Sequence, residues 1–309
     1  MTTSHACWAD LARQERYRAS AMARYLYPEG SARCTFNRTK FVLRSLLYRK
    51  PLSRVYRLFC EAPLCELPTR YPELLDKPMR PYRFASSSAH QRAAMVEEHY
   101  RLMLERFPSL IVPLYLEQGV EVGRIPDSEV RLVLRHDGTF RREAELSLSL
   151  LDGEGKRLYS CAFSLERCGG SLGLVIGSVQ GPEPSVEAPQ ERVRLLTKQC
   201  HGLRPKSLVV MLVLMLAESV GASRVSAIRK CAHIFQAKRY SKKKKECLQA
   251  DYDELWGEFG ARVLDANFVT LAPLERKPLE EIASKKRAMY RRRYDWLDEL
   301  ARRLDQVFG

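Results

Sequence analysis

Between residues 130 and 180 the apolar residues change their period. Val130–Arg135 (VRLVLR), Glu143–Leu150 (EAELSLSL) and Arg157–Glu166 (RLYSCAFSLE) place them at every second position. Period two is the geometry of a strand, whose successive side chains point to opposite faces. HDG at 136–138 and DGEG at 152–155 separate these runs, and CGG at 168–170 divides the third from a fourth, Leu172–Gln180 (LGLVIGSVQ). Gly and Asp tolerate the backbone of tight turns, so the segment reads as a four-strand antiparallel meander.

On either side the pattern is helical. Residues 1–118 are Arg-rich. Within them TKFVLRSLLYRKPLSRVYRLF sets Phe41, Leu43, Leu46 and Leu47 at helical intervals until Pro51 interrupts. The Pro-rich stretch 68–84 (PTRYPELLDKPMRPYRF) reads as an extended connector. Ser86–Ser88 can cap the helix that follows and ends near Pro108. After the meander come an amphipathic helix (187–200), a hydrophobic helix (204–220) with Pro205 in its first turn, and a buried strand, SRVSAIR (223–229). A short helix (251–259), a strand, NFVTLAPL (267–274), and a long charged helix (279–308) complete the chain. The expected fold is α+β. A helical region, 1–118, precedes a domain, 119–309, that holds a mixed sheet and a basic C-terminal helix.

Charge and cysteine usage narrow the setting. Lys and Arg number 52 against 37 Asp and Glu, a net charge of +15. Such a surplus favours polyanionic partners: nucleic acid, anionic lipid or a phosphate-bearing cofactor. The nine Cys are an odd number with no CxxC pair, which points to reduced thiols in the cytoplasm. Cys and His never fall in paired ligand spacing, and Asp251 and Asp253 lack companions, so no metal is expected. The longest apolar run, LVVMLVLMLA (208–217), is about half the ~20 residues that span a bilayer and reads as a buried helix.

Three C-terminal segments carry a resemblance: LTKQCHGLRPKSL (196–208), KRYSKKKKECLQADYDELWGEFG (238–260) and RKPLEEIASKKRAMYRRRYDWLDEL (276–300). They resemble signature blocks of the VirK/YbjX family. EAELSLSLLDGEGKRLYSCAFSL (143–165) and IGSVQGP (176–182) are similar to it more loosely. The likeness covers about residues 90–308 and departs at 228–236, where family members usually carry an Asn-containing segment. It implies a Gram-negative source and an association with the envelope, virulence and resistance to cationic antimicrobial peptides. It implies no particular reaction.

The order of elements from residue 130 is similar to that of the acyl-CoA-dependent N-acetyltransferase (GNAT) fold. That similarity implies a donor pyrophosphate at the start of the helix after the meander, where orphan N–H groups and the helix dipole favour an anion. Here the matching stretch is HGLRPKS (201–207), with Gly202, Arg204 and Lys206, joined by Lys198 upstream. Backbone N–H groups near Ser178–Gln180 would meet the oxyanion, so Gln180 belongs to the expected donor site. Glu145, on the polar face of the second strand, and His233, flanked by cations, are the expected general bases. The donor would be acyl-CoA, an acyl carrier protein or aminoacyl-tRNA, and the acceptor an amine or hydroxyl. The other reading has no chemistry. In it, Lys242–Lys245 and the cations of 285–293 form a basic surface for RNA or for lipid at the inner face of the membrane. In either case the C-terminal helix should dock through Ile282, Met289, Trp296, Leu297, Leu300 and Leu304.

Overall fold

The structure, a computed structural model, describes residues 8, 11, 18–28, 31–238, 240 and 252–309. Its N-terminal part is helical: α1 (Ala19–Leu26), α2 (Ala32–Leu47), α3 (Arg49–Leu58), α4 (Leu67–Arg70) and α5 (Ala89–Arg106). Helix α5 starts where the serines indicate. The Ser88 hydroxyl accepts the Gln91 N–H, and the Gln91 side chain accepts the Ser88 N–H in return, a capping box.

The stretch 68–84 is not the extended connector expected from its prolines. Pro72–Met79 is a 3₁₀ helix, and Leu74 to Met79 are all buried. Proline fixes φ near −65°, which suits a tight helical turn as well as an extended one. Pro72 stands in the first turn, where its missing N–H costs nothing. The extended reading came from proline content, and the helical outcome goes with burial of Leu74 and Leu75.

The meander forms as expected, inside a larger sheet. Strands β1 (Val120–Arg124), β2 (Arg131–Arg135), β3 (Leu146–Leu151), β4 (Arg157–Cys168) and β5 (Ser171–Gln180) pair antiparallel in sequence order. Two helices follow, α6 (Pro189–Gln199) and α7 (Pro205–Ser219), and α7 is the crossover that makes β6 (Arg224–Ile228) parallel to β5. After α8 (Tyr252–Gly257) the hairpin β7 (Arg262–Val263) and β8 (Phe268–Thr270) closes the sheet, with β8 lying between β6 and β7. The sheet therefore has eight strands in the order β1-β2-β3-β4-β5-β6-β8-β7.

One continuous hydrophobic core joins the N-terminal helices to this sheet. Leu146, Leu148 and Leu150 of β3, Cys161, Phe163 and Leu165 of β4, and Leu174 and Ile176 of β5 share the face that enters it. Helix α7 lies in the same core, with Leu208 to Ala217 almost wholly inside, so the apolar run is a buried helix. No helix among the described residues is long and apolar enough to cross a membrane.

The last helix, α9 (Ser284–Phe308), docks through Trp296, Leu297, Leu300 and Leu304, all buried. Leu300 packs onto Gly123 of β1 so tightly that a Cβ there would come 2.2 Å from its Cδ2. Ile282 is buried just ahead of the helix, while Met289 is half-exposed.

Candidate functional site

Strand β5 pairs with β6 only from Gly173 to Ile176. The next residue, Gly177, is a bulge. Across on β4, Phe163 faces Ile176 and Ala162 faces Ser178, which leaves Gly177 without a partner. A Cβ on Gly177 would lie 2.1 Å from the carbonyl oxygen of Glu143, so a glycine is needed for this close crossing of backbones. Beyond the bulge, Ser178–Gln180 keep β4 on one side, while β6 ends at Ile228. The N–H and C=O of Val179 thus face no strand. Both meet one side chain, the hydroxyl of Tyr252, which accepts from the N–H and donates to the C=O at 3.2 Å each.

Tyr252 stands at the start of α8, held in a stack. Its ring lies 5.6 Å from Trp256 at 24° and 5.5 Å from His233 at 18°. Trp256 is fixed in turn by its Nε1–H, which donates to the Ile228 carbonyl at 2.7 Å. Burial pushes the Tyr252 phenol well up, and the negative charge of nearby Glu143 adds to the shift, so the hydroxyl stays protonated. His233 is buried, and burial pulls its pKa down to about 4, so the ring is neutral near pH 7. Its Nδ1 accepts the Phe235 N–H at 3.3 Å, which leaves the proton on Nε2. That Nε2 and the Ser178 hydroxyl are both buried without a hydrogen-bond partner among the described residues.

Glu145 goes elsewhere. It is buried, and its two oxygens take three donors: Lys77 Nζ and the Tyr82 hydroxyl (2.6 Å) on Oε1, and the Tyr100 hydroxyl (3.0 Å) on Oε2. Burial alone would raise its pKa, but the Lys77 ammonium overrides that and holds the carboxyl at about 2. Burial pulls Lys77 down, and the carboxylate partly restores it. Around this pair, the His99 Nδ1 accepts the Leu165 N–H at 3.0 Å, so its Nε2–H donates to the Tyr115 hydroxyl at 2.6 Å. His136 Nδ1–H donates to the Glu145 carbonyl at 2.6 Å, which leaves a bare Nε2 buried with no partner among the described residues. Burial takes His99 down to about 3 and lowers His136 as well.

No described hydrogen bond, ion pair or ring contact joins Glu145 to His233. The two expected bases stand in separate networks. Glu145, saturated by donors, is an anchored anion and a poor proton acceptor. The carboxylate whose backbone crosses β5 and whose charge reaches Tyr252 is Glu143, two residues earlier. Alternation singled out Glu145 alone, but both carboxylates precede β3, which starts at Leu146, and it is the turn residue Glu143 that meets Gly177. Lys77, Tyr82, Tyr100 and Tyr252 were missed as site residues, because each reaches its partner across 45 residues or more.

The expected donor-binding cations lie at the end of α6 and the start of α7. Arg204 stands exposed at the N-cap position of α7 without a side-chain capping bond, and its guanidinium pairs with Glu258 at 2.7 Å. Ser207 donates to the same carboxylate at 3.1 Å, so the chain's own Glu258 sits beside this helix start. Lys206 is half-buried there, while Lys198 is exposed in the last turn of α6. Gly202 follows His201 in a left-handed turn (φ +78° and +53°), where a branched or bulky residue would be strained. Arg293 of α9 donates to the His201 carbonyl and ties that turn to the C-terminal helix. Gln180 ends β5 opposite Ser160, one residue past Val179. Lys242–Lys245 lie outside the described residues. Among those described, no three His, Cys, Asp or Glu gather to hold a metal ion.

Comparison with known proteins places this chain among similar ones. It is 32% identical over 278 residues to the protein YbjX of Escherichia coli (strain K12), which covers 88% of this chain and 83% of that one. A protein of Haemophilus influenzae is 31% identical over 287 residues, with 87% of this chain and 88% of the other covered, and a second from the same organism is 32% identical over 222 residues. A family model, described as Protein of unknown function (DUF535), matches residues 30–306. The match takes in α2 to α8, the whole sheet and nearly all of α9, and the chain therefore belongs to the DUF535 family.

Proposed function

We propose that the protein is an acyl- or aminoacyl-transferase with a GNAT-like core, whose donor arm docks along Ser178–Gln180 where β5 and β6 part. One observation carries this reading: the strand backbone at Val179 is bonded by a side-chain hydroxyl in place of a strand. A donor arm that contains amides can offer the same acceptor and donor to Val179, and Tyr252 holds that place until it arrives. The sheet order β5-β6-β8-β7, the parallel β5–β6 pair and the bulge at Gly177 support the reading, since a similar fold opens its sheet at the equivalent strand.

Within this scheme an acceptor amine or hydroxyl attacks the acyl carbonyl. The new N–C or O–C bond forms as the donor's thioester C–S or ester C–O bond breaks. The acceptor's proton passes to the Glu143 carboxylate and on to the leaving thiolate or alkoxide. His233 Nε2–H, a neutral donor in a water-poor site, polarises the carbonyl oxygen as charge develops there. Glu145 and Lys77 hold the start of β3 rigid behind Glu143. Acyl-CoA, an acyl carrier protein and aminoacyl-tRNA are the donors that suit a chain of charge +15.

A filled parting favours a second reading. Tyr252 plugs Val179 and Glu258 neutralises Arg204, as expected of a binding protein that does no chemistry and meets RNA or lipid through the cations of α9. Native mass spectrometry of the purified protein, then a thermal-shift screen with CoA, acyl-CoA and aminoacyl-tRNA, separates the two. A co-purified or stabilising donor supports the transferase. No response to any donor, with RNA or lipid binding that is lost on reversing charge at Arg291 and Arg292, supports the binder.

A further inference from the structure

We infer that the elbow between α2 and α3 is a docking surface for an anionic phospholipid bilayer. The inference goes beyond the transferase reading and does not depend on it. Helix α2 has two apolar sides. Phe41 and Ser45 are buried against the body of the protein. Turned the other way, Phe36, Leu43, Leu46 and Leu47 are 65%, 61%, 73% and 81% exposed. At 3.6 residues per turn, Phe36, Leu43 and Leu47 fall within about 40° of one another, with Leu46 beside them. They form a stripe along the outer face of the helix.

Charge surrounds the stripe on one sign only. From Ser31 to Cys60 stand eight Lys and Arg and no Asp or Glu. Lys40 lies within the stripe and Arg33 along its edge. Arg49 and Lys50, exposed at the elbow itself, follow Leu47 directly. These two also line an open hollow of about 710 Å³ between α3 and α5, together with Arg54, Arg57, His90 and Arg101. Glu61 and Glu97 reach this hollow from outside the segment and pair with Arg101 and Arg54, whereas Arg49 and Lys50 have no carboxylate partner among the described residues.

An exposed apolar stripe on a helix whose polar flanks are purely cationic is the pattern of a segment that lies in the plane of a membrane interface. The stripe enters the boundary of headgroups and acyl chains, and Arg49 and Lys50 meet phosphate beside it. A second copy of this chain would set eight like charges against eight. RNA would satisfy the cations but leave the leucines in water. An anionic bilayer satisfies both.

The test is flotation of the full chain with large vesicles of phosphatidylcholine alone, and with a quarter of phosphatidylglycerol, in about 0.1 M salt. Binding to the anionic vesicles only is expected, weakening as salt rises. Leu46→Gln with Leu47→Gln should reduce partitioning about a hundredfold, because each buried leucine contributes about tenfold. Arg49→Gln with Lys50→Gln should reduce it about twentyfold, each cation near an anionic surface being worth about fivefold. All four positions are exposed, so the thermal melts should be unchanged. Arg291→Gln with Arg292→Gln on α9 should leave binding in place. Failure to float with anionic vesicles overturns the inference, as does binding that survives both elbow variants. A dimer in light scattering that the leucine variant dissolves also overturns it, by showing that the stripe meets a second copy.

Discussion

The Tyr252 hydroxyl and the Val179 backbone form a closed pair, in which the phenol accepts from the N–H and donates to the C=O of one residue at 3.2 Å each. A strand normally gives these groups to its neighbour. Here β6 has ended and a side chain stands in for it, so the parting of the sheet is sealed by one aromatic residue.

Tyr252→Phe removes both bonds and leaves a buried N–H and C=O unpaired. The expected loss is about 1–3 kcal/mol, the cost of orphaned buried polar groups, because the ring and its stack on His233 and Trp256 remain. Urea unfolding of both proteins measures it. Equal midpoints would mean that water or another group already serves Val179.

The ion pair of Lys77 and Glu145 makes a sharper case. Lys77→Met leaves a buried carboxylate with only Tyr82 and Tyr100 as donors, and should cost about 3–5 kcal/mol. Lys77→Met with Glu145→Gln should recover part of that, since the uncompensated charge is gone. A double-mutant cycle with no coupling would contradict the pairing.

Acid stability should fail in two stages. His99 sits at about 3 in the fold against an ordinary 6.5, and His233 at about 4. Above pH 6.5 both states are neutral at these positions and their contribution is complete. As pH falls below 6.5 the unfolded chain takes up protons that the fold refuses, and stability is lost. Glu145, about 2 against an ordinary 4.5, adds a second loss that begins near pH 4.5 as the unfolded carboxyl protonates first. The shifts correspond to about 5 kcal/mol for His99 and about 3 kcal/mol each for His233 and Glu145. His99→Gln should flatten the stability profile between pH 6.5 and 4.5 in chemical-denaturation series. An unchanged slope would show that His99 titrates normally.

Gly177→Ala should be costly although the residue lies in a strand, where alanine is ordinarily tolerated. Its Cβ would strike the Glu143 carbonyl oxygen at 2.1 Å, backbone against backbone, and neither can rotate away. A loss of about 1–3 kcal/mol or more is expected in thermal melts, by the cost of overpacking. A neutral result would mean that the crossing of Glu143 over β5 is loose.

Much of the architecture could be read from periodicity. The meander strands, α6, α7, β6 and α9 fell close to where alternation and helical spacing put them. β1 and the two-residue β7 were missed, being too short to show a period. Period also fails where one helix has two apolar sides: Leu43, Leu46 and Leu47 repeat like core residues but point to solvent, while Phe41 points inward. The candidate site was less legible. Glu145 and His233 could be chosen as unusual residues, but their surroundings come from Lys77, 68 residues before Glu145, and from Tyr252 at the start of a helix beyond β6. Such partners are brought together by topology, which spacing along a chain does not encode.

The most direct measurement is hydrogen exchange at the Val179 amide, followed with and without CoA, acyl-CoA and aminoacyl-tRNA, in the wild-type protein and in Tyr252→Phe. A donor arm that docks on β5 should slow exchange at Val179 in both proteins. It should bind the variant more tightly, because no hydroxyl competes for the strand. Exchange at Val179 that no donor slows in either protein, with equal affinities throughout, would contradict docking at the parting of β5 and β6.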